Sequence, residues 1–463
     1  MRKVIRNTQQ LLQIGDRTSR DVLLSIANQT LASLNIKHAI NSCLTVDGDT
    51  LCIGDSKWDL SAKRRLYVVG AGKASGSMAQ AVEGKLVDRI HESLVIVKQL
   101  DSEEPLKHIE LYVGGHPLPN QASLLASGRI VNMVEQASPD DLFIGLISGG
   151  SSALMAYPVP EISLEDEIDI TKELLWCGAR IEEINAVRRH ISATNGGRLA
   201  QRVEDKGAEM INLIISDVVS DGQSSNLRQP IKFFGTPVAP DNTSVQDAID
   251  VLKKYSLQTR SSQRILQYLS SNERTKETPK RFGLRIHNFV IQTTRDGVEA
   301  ARKAAAEKGL QPLILTTMME GESREAGTFL ACIAKEISFN HRPIHPPCVL
   351  IAGGETTTRV KNEQGLGGPA QELCLGFALE IAGLSGCCIA AIDTDGTDGP
   401  TQVAGGIADS TTVRRARLSE IDLWKCLEVH DSHGALTALG DTILTGNTGT
   451  NVCDLNIVYI PDL

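Results

Sequence analysis

One pattern constrains this chain more than any other. A short apolar run ends in a glycine-rich or acidic loop, and a stretch with helical spacing follows. Leu66-Tyr67-Val68-Val69 runs into Gly70-Ala71-Gly72-Lys73, and Ile109 to Val113 into Gly114-Gly115-His116-Pro117. Leu142 to Ile147 runs into Ser148-Gly149-Gly150-Ser151-Ser152, and Ile211 to Ile215 into Ser216-Asp217. A second series holds Phe289 to Ile291, Leu313 to Leu315, Cys348 to Ala352 before Gly353-Gly354-Glu355, Cys387 to Ile392 before Asp393-Thr394-Asp395, and Leu455 to Ile460. Strands alternating with helical segments predict βαβ units, and so α/β architecture with largely parallel sheets.

A chain of 463 residues exceeds what one hydrophobic core normally holds. The polar, basic stretch 242–287 shows no clear buried strand, which sets a boundary near 255–285. The expected division is an N-terminal Rossmann-like α/β domain over 1–255 and a C-terminal α/β domain over 285–463. The first sixty residues read as helices followed by a short segment, Leu44 to Asp55.

Composition excludes several function classes. Lys and Arg total 47 against 56 Asp and Glu, a formal charge of −9, and aromatic residues are 4%. General nucleic-acid binding wants a basic surface and stacking platforms, so it is not expected. No apolar run approaches the ~18 residues of a membrane span, and the N-terminus has no continuous apolar signal core, so a cytoplasmic protein is expected. The ten cysteines form no C-x-x-C pair and read as reduced core residues. His430-Asp431-Ser432-His433 reads as a surface turn rather than a metal site.

In α/β sheets ligands bind where strands end and helices begin. Gly70-Ala71-Gly72-Lys73 is neither a dinucleotide fingerprint, since Ser75 stands where a third glycine belongs, nor a Walker A loop. A lysine on a tight glycine turn suits a polyphosphate or carboxylate; a solvated lysine on an ordinary βα turn is the plainer alternative. Ser148-Gly149-Gly150-Ser151-Ser152 reads as an anion nest or as a small flexible turn. Arg188 and Arg189 suit a carboxylate or phosphate, and equally suit pairing with Glu182 and Glu183.

Asp393-Thr394-Asp395-Gly396-Thr397-Asp398-Gly399 is the sharpest signal. Ala404 at position 12 excludes an EF-hand. Three carboxylates on one loop repel each other unless a cation neutralises them, which points to magnesium with a nucleotide. Gly353-Gly354-Glu355-Thr356 and Gly446-Asn447-Thr448-Gly449-Thr450 repeat the theme of glycines with hydroxyls.

Taken together, Tyr67 to Ser75, Gly115 to Asn120, Leu146 to Leu154, Gly353 to Thr357, Asp393 to Thr401 and Leu444 to Asn451 resemble, in content and order, the class II glycerate 2-kinases. These are two-domain proteins whose C-terminal part is called the MOFRL domain. The resemblance implies two α/β domains with the active site in the interdomain cleft. It also implies ATP- and Mg²⁺-dependent phosphorylation of the 2-hydroxyl of D-glycerate. Members have also been labelled hydroxypyruvate reductases, but no dinucleotide fingerprint supports hydride transfer here.

On that basis Lys73, Asp217 and Asp395 are the expected catalytic residues. Ser148, Gly149, Gly150, Ser151, Ser152, Arg188 and His116 are expected to bind substrate. Gly70, Gly72, Gly353, Gly354, Glu355, Thr356, Gly446 and Thr448 are expected to bind ATP, and Asp393, Asp395 and Asp398 to hold Mg²⁺. No nucleic-acid or membrane partner is expected, and the reading leaves room for a homodimer.

The chain departs from the family at Asn195, where a lysine is usual, and at Gly367-Gly368-Pro369-Ala370, where the family has an arginine followed by asparagine. Lys232 to Asp241 departs as well. Arg324, Arg359 and Lys361 lie in the same half as candidate replacements for the missing cation. The departures keep open a kinase of another small sugar acid, or a catalytically impaired, metabolite-binding member of the family.

Overall fold

The computed structural model describes residues 3–100, 105–218, 237–271, 276–360 and 365–462. Two compact units result. One comprises Ile36–Ser216 and Ser220–Ile291, the other Met1–Asn35, Asp217–Val219 and Gln292–Leu463. This corrects the expected division at both ends. The helix Arg17–Ser33 turns Leu23, Leu24, Ala27 and Leu31 to one side, and that stripe packs against Val298, Val349, Ile351 and Ile457 of the second unit. At the other end, helices Val245–Lys254 and Arg260–Ser270 share the first unit's core with Leu164–Trp176 and Ile181–Ile191.

In the first unit, β1 (Leu44–Asp47), β2 (Thr50–Ile53) and β3 (Ser56–Asp59) form a small antiparallel sheet. The main sheet is built from β4 (Leu66–Ala71), β5 (Ile90–Val97), β6 (Leu111–Val113), β7 (Leu142–Ile147), β8 (Glu209–Ile215) and β9 (Ile286–Gln292). Its order is β6-β5-β4-β7-β8-β9, parallel from β6 through β8. Phe289 to Ile291, expected to open the second series, instead completes this sheet. The chain builds outward from β4 first through β5 and β6, then on the other side through β7 and β8. The strand order therefore reverses between β4 and β7, where open α/β sheets leave a crevice beyond their carboxyl ends.

The second unit's sheet contains β10 (Gln311–Met319), β11 (Cys348–Gly354), β12 (Cys388–Asp393), β13 (Gly405–Asp409), β14 (Thr442–Ile443) and β15 (Asp454–Ile460), in the order β10-β11-β15-β12-β13-β14. The parallel expectation holds for β6 through β8 of the first sheet and for β10 with β11. The last strand, β15, enters antiparallel between β11 and β12, and β13 and β14 continue antiparallel. Helices Ser323–Asn340 and Pro369–Glu380 cover one face, and Arg17–Ser33 with Thr294–Glu307 covers the other.

Glu209 ties the small sheet to the large one. Its carboxylate accepts hydrogen bonds from Trp58 Nε1 at 2.7 Å and Lys63 Nζ at 2.7 Å, and meets His287 Nε2 at 2.8 Å. Burial pushes this carboxyl up, but the bonds from His287, Lys63 and Trp58 outweigh it and hold it at about 2 against an ordinary 4.5. A depressed folded-state value means that the stabilisation is present above pH 4.5 and lost as the pH falls through about 2. Glu209→Gln is therefore expected to cost roughly 2 kcal/mol at neutral pH and to flatten the acid limb of the stability curve. Urea unfolding at a series of pH values checks this, and parallel curves for the two proteins would refute it.

Candidate active site

In the first unit, β4 and β7 run parallel with Ala71 opposite Ile147, so their loops leave the sheet side by side at the strand-order reversal. The Lys73 N–H donates to the Gly149 carbonyl at 2.8 Å, and the Ser148 N–H to the Ala71 carbonyl at 3.2 Å. The Ser148 hydroxyl accepts from the Ala74 N–H at 3.0 Å and lies 3.2 Å from the Ser75 hydroxyl, which itself donates to the Leu146 carbonyl. Ser148 is fully buried. It is thus a rivet between the two loops, and the expectation that its hydroxyl binds substrate is corrected.

Gly72 is where that rivet demands glycine. Its φ is 148°, and a Cβ there would lie 2.0 Å from Ser148 Oγ. Gly70 serves packing too, since a Cβ would stand 2.2 Å from the Leu146 carbonyl oxygen. Around this rivet Lys73, His116, Gly150 and Ser152 are half-buried, while Gly149 and Ser151 are buried. A Cβ on Gly150 would meet His116 Nε2 at 3.0 Å and Lys73 Cγ at 3.3 Å, so the imidazole and the lysine stem converge on that glycine. Ser152 is steadied by Asn195, whose Nδ2 donates to its carbonyl at 3.1 Å.

Arg188 sits in the helical layer, only 9% exposed, with no hydrogen bond from Nε or Nη2. Its neighbouring charges are Glu167 and Arg189. Glu167 is fully buried, and burial pushes its carboxyl up to about 7 against the pull of Arg188. Arg189 binds Asp241 at 2.9 Å, while Glu183 takes Lys254 and Tyr255. The alternative that pairs the arginines with Glu182 and Glu183 therefore falls away.

In the second unit, β15 brings Asp454 between Gly354 of β11 and Asp393 of β12. Burial, and then the charges of Asp393, Asp398, Glu355 and Asp395, push the Asp454 carboxyl well above its ordinary value. Sequence reading missed this residue; its one signal is an acid at the head of a run of apolar residues. The Asp393 carboxylate accepts from the Asp395 N–H at 3.0 Å, and that of Asp395 from the N–H and hydroxyl of Thr397, both at 2.7 Å.

Asp398 has a different role from the one expected. Its oxygens accept from Ala370 N–H at 3.1 Å, Gln371 N–H at 2.9 Å and Gln371 Nε2 at 2.8 Å, so it caps the helix Pro369–Glu380, and burial pushes it up to about 6. Among the described residues no three metal-ligating side chains converge. Of the three aspartates expected to hold Mg²⁺, Asp398 is thus engaged by the helix, whereas Asp393 and Asp395 belong to the loop itself.

Other expectations are reassigned by packing. Gly353 lies against Val298 and Thr294, and Gly354 against the Met319 backbone. The Thr356 hydroxyl accepts from Ser323 at 3.0 Å, and Glu355 is exposed. Pro369 opens its helix at a position whose N–H would be unsatisfied anyway. Among the proposed replacement cations, Arg324 pairs with Glu325, Arg359 is exposed beside Glu322, and Lys361 lies outside the described residues, as do Lys232 to Thr236.

The histidine motif is not a surface turn: His430 Nδ1 meets Glu372 at 2.8 Å and His433 Nδ1 meets Gln371 at 2.9 Å. The Thr445–Asn451 loop rests on the acidic loop, with Gly446 against Gly396 and the Thr448 N–H on the Asp395 carbonyl at 3.3 Å. Asp217 joins this unit by accepting from Asn451 Nδ2 at 2.8 Å.

A Gly72→Ala variant is expected to lose more than about 2 kcal/mol, because backbone strain adds to the clash with Ser148. Gly84, in the helix Ser75–Leu86 with open space around it, is the control. Gly84→Ala should gain roughly 0.5 kcal/mol. Thermal unfolding of the two variants tests the contrast, and equal shifts would remove the rivet's requirement for glycine.

Comparison with known proteins bears on both units. The model described as Domain of unknown function (DUF4147) matches residues 22–270, and the MOFRL family model matches residues 348–454. The chain is 36% identical over 443 residues to the glycerate 2-kinase of Pyrococcus horikoshii, covering 95% of this chain and 97% of that one. It is 39% identical over 399 residues to the D-glycerate 2-kinase of Thermotoga maritima, covering 86% and 91%. The crystal structure of a glycerate kinase from Thermotoga maritima matches with a TM-score of 0.75 at 35% identity, covering 94% of this chain and 97% of that chain.

Proposed function

This chain belongs to the glycerate 2-kinase family, and from that premise we propose that it transfers a phosphoryl group from ATP to the 2-hydroxyl of D-glycerate, giving 2-phosphoglycerate. The observation that carries the reading is the convergence of Lys73 and His116 on Gly150 at the strand-order reversal of the first sheet. Phosphoryl transfer asks little covalent chemistry of a protein; it needs aligned groups and neutralised charge.

Lys73 supplies a fixed cation for the oxygens of the phosphoryl group in flight. His116, Ser151 and Ser152 orient the hydroxy acid, and the Arg188 guanidinium, buried with two nitrogens unbonded, suits its carboxylate. Gly446 and Thr448 belong to the loop proposed to carry the nucleotide, while Asp395 and Asp217 are the carboxylates proposed to receive the hydroxyl proton.

Magnesium fits this chain as a companion of the nucleotide rather than as a resident ion. It is commonly held by one or two carboxylates plus substrate phosphates, which Asp393 and Asp395 suit without a three-ligand cage. When bound, it neutralises the triphosphate charge.

A second reading, phosphorylation of another small sugar acid, is favoured by Pro369, which carries no charge where the resemblance leads one to expect arginine. ADP release over a panel of hydroxy acids, with and without chelator and with product position read by phosphorus NMR, tests both. D-Glycerate as the best substrate, with activity lost in chelator and restored by Mg²⁺, is the expected result. A faster acid would replace glycerate, and full turnover in excess chelator would dismiss magnesium.

Lys73→Met should lower kcat by about a hundredfold or more, since a fixed cation acts mainly on the transition state. The melting temperature should stay close to that of the parent, because Lys73 is only half-buried. Unchanged turnover in a variant that melts normally would take Lys73 out of the reaction.

A further inference from the structure

The segment before the first long helix is anchored at several points to the second unit. The N–H groups of Val4 and Ile5 donate to Asn28 Oδ1 at 2.7 and 3.1 Å, and the Arg6 N–H donates to the Leu444 carbonyl at 2.7 Å. Asn7 grips the same strand twice, giving a hydrogen bond to the Thr442 carbonyl at 2.8 Å and accepting one from the Leu444 N–H at 3.0 Å. Ile5 and Asn7, on either side of Arg6, are buried. The backbone of Arg6 is therefore held in place while its side chain faces outward.

That side chain lies on the Thr445–Asn451 loop. An ideal Cβ on Gly446 would fall 2.4 Å from Arg6 Nη2 and 2.6 Å from its Cζ, so the guanidinium lies directly against the Gly446 backbone. Gly446 has φ 66°, and its carbonyl oxygen fills the corresponding space at Gly396 in the acidic loop. Arg6 is exposed, and among the described residues its hydrogen bonding is confined to the backbone N–H on Leu444. A guanidinium seated on a loop and reachable from solvent presents its fork of N–H donors to whatever anion the loop receives. The need for such a cation is local. Asp393, Asp395 and Asp398 lie in the adjoining loop, and a triphosphate approaching them meets like charge.

We propose that Arg6 is a phosphate-binding residue of the nucleotide site, its guanidinium donating two hydrogen bonds to oxygens of the nucleotide on the Thr445–Asn451 loop. This inference rests on the assignment of that loop to ATP in the kinase reading. It adds a residue of the N-terminal segment to the site.

The test uses the full chain with Arg6→Gln and Arg6→Lys. ADP binding is measured by titration calorimetry, and KM for ATP and for glycerate by ADP release. Loss of a charge-assisted bidentate contact is expected to weaken ADP binding and raise KM for ATP about tenfold or more in Arg6→Gln, with a smaller effect in Arg6→Lys. KM for glycerate and the melting temperature should hardly move, and added guanidinium should recover part of the lost ADP affinity. Unchanged ADP affinity and KM for ATP in Arg6→Gln would overturn the proposal. So would equal changes in both KM values with a lowered melting temperature, which mark a structural role, and so would a parent protein that does not bind ADP. ADP binding that depends on Arg6, in a parent that phosphorylates no hydroxy acid, would sustain the phosphate role and refute the kinase reading instead.

Discussion

The arrangement of the second unit depends on one guanidinium that water cannot reach. Arg20, in the helix Arg17–Ser33, is fully buried, with Nε 2.5 Å from Asp409 and Nη2 2.9 Å from Asp441, both also fully buried. Asp409 ends β13 and also accepts from the Asp16 N–H, while Asp441 precedes β14 and takes Arg415 as a second partner. Removing one member of such a group leaves the others charged in a medium that cannot solvate them, so the cluster holds its members together even where its net contribution to stability is small. It ties the first helices to the segment Gln292–Leu463 rather than to the unit that follows them in sequence.

The same physics shapes the two sets of loops. In the first unit the loops after β4 and β7 are joined by Ser148, whose hydroxyl works between backbone groups. The half-buried side chains of Lys73 and His116 then meet over Gly150. In the second unit carboxylates crowd the end of the sheet, and the fold relieves the crowding in three ways. Asp398 accepts the first N–H groups of a helix, Asp393 and Asp395 bend their own loop around hydrogen bonds, and burial together with the neighbouring carboxylates pushes the Asp454 carboxyl well above its ordinary value, which disfavours its ionisation beside them. The glycines and hydroxyls of these loops therefore divide into those that hold the loops in shape and those that remain for a ligand.

Much of this was legible in local pattern. The ends of β4, β7, β11 and β12 fall where apolar runs meet glycine, serine or aspartate, because a buried strand must be apolar and its exit turn must be small or polar. What was not legible was the use made of each polar atom. Ser148 and Ser152 look alike in sequence, yet one is sealed between two loops and the other is not. Asp398 looks like a third metal ligand beside Asp393 and Asp395, but the helix that claims it begins twenty-nine residues earlier. His430 and His433 read as a surface turn, since Glu372 and Gln371 are distant in sequence. The antiparallel entry of β15 was hidden as well, because strand direction leaves no mark on a run such as Leu455 to Ile460.

By itself, then, the sequence determined the α/β class, the positions of the strand ends and the family, since these depend on periodicity, turn chemistry and ordered motifs that each lie within about ten residues. Tertiary structure alone decided which unit the N-terminal helix joins, which carboxylate caps a helix and which stays at the loop, and that Asp454 is central to the acidic cluster. The physical reason is the same in each case. Burial, hydrogen-bond saturation and like-charge crowding are properties of neighbours in space, and here those neighbours lie tens to hundreds of residues apart along the chain.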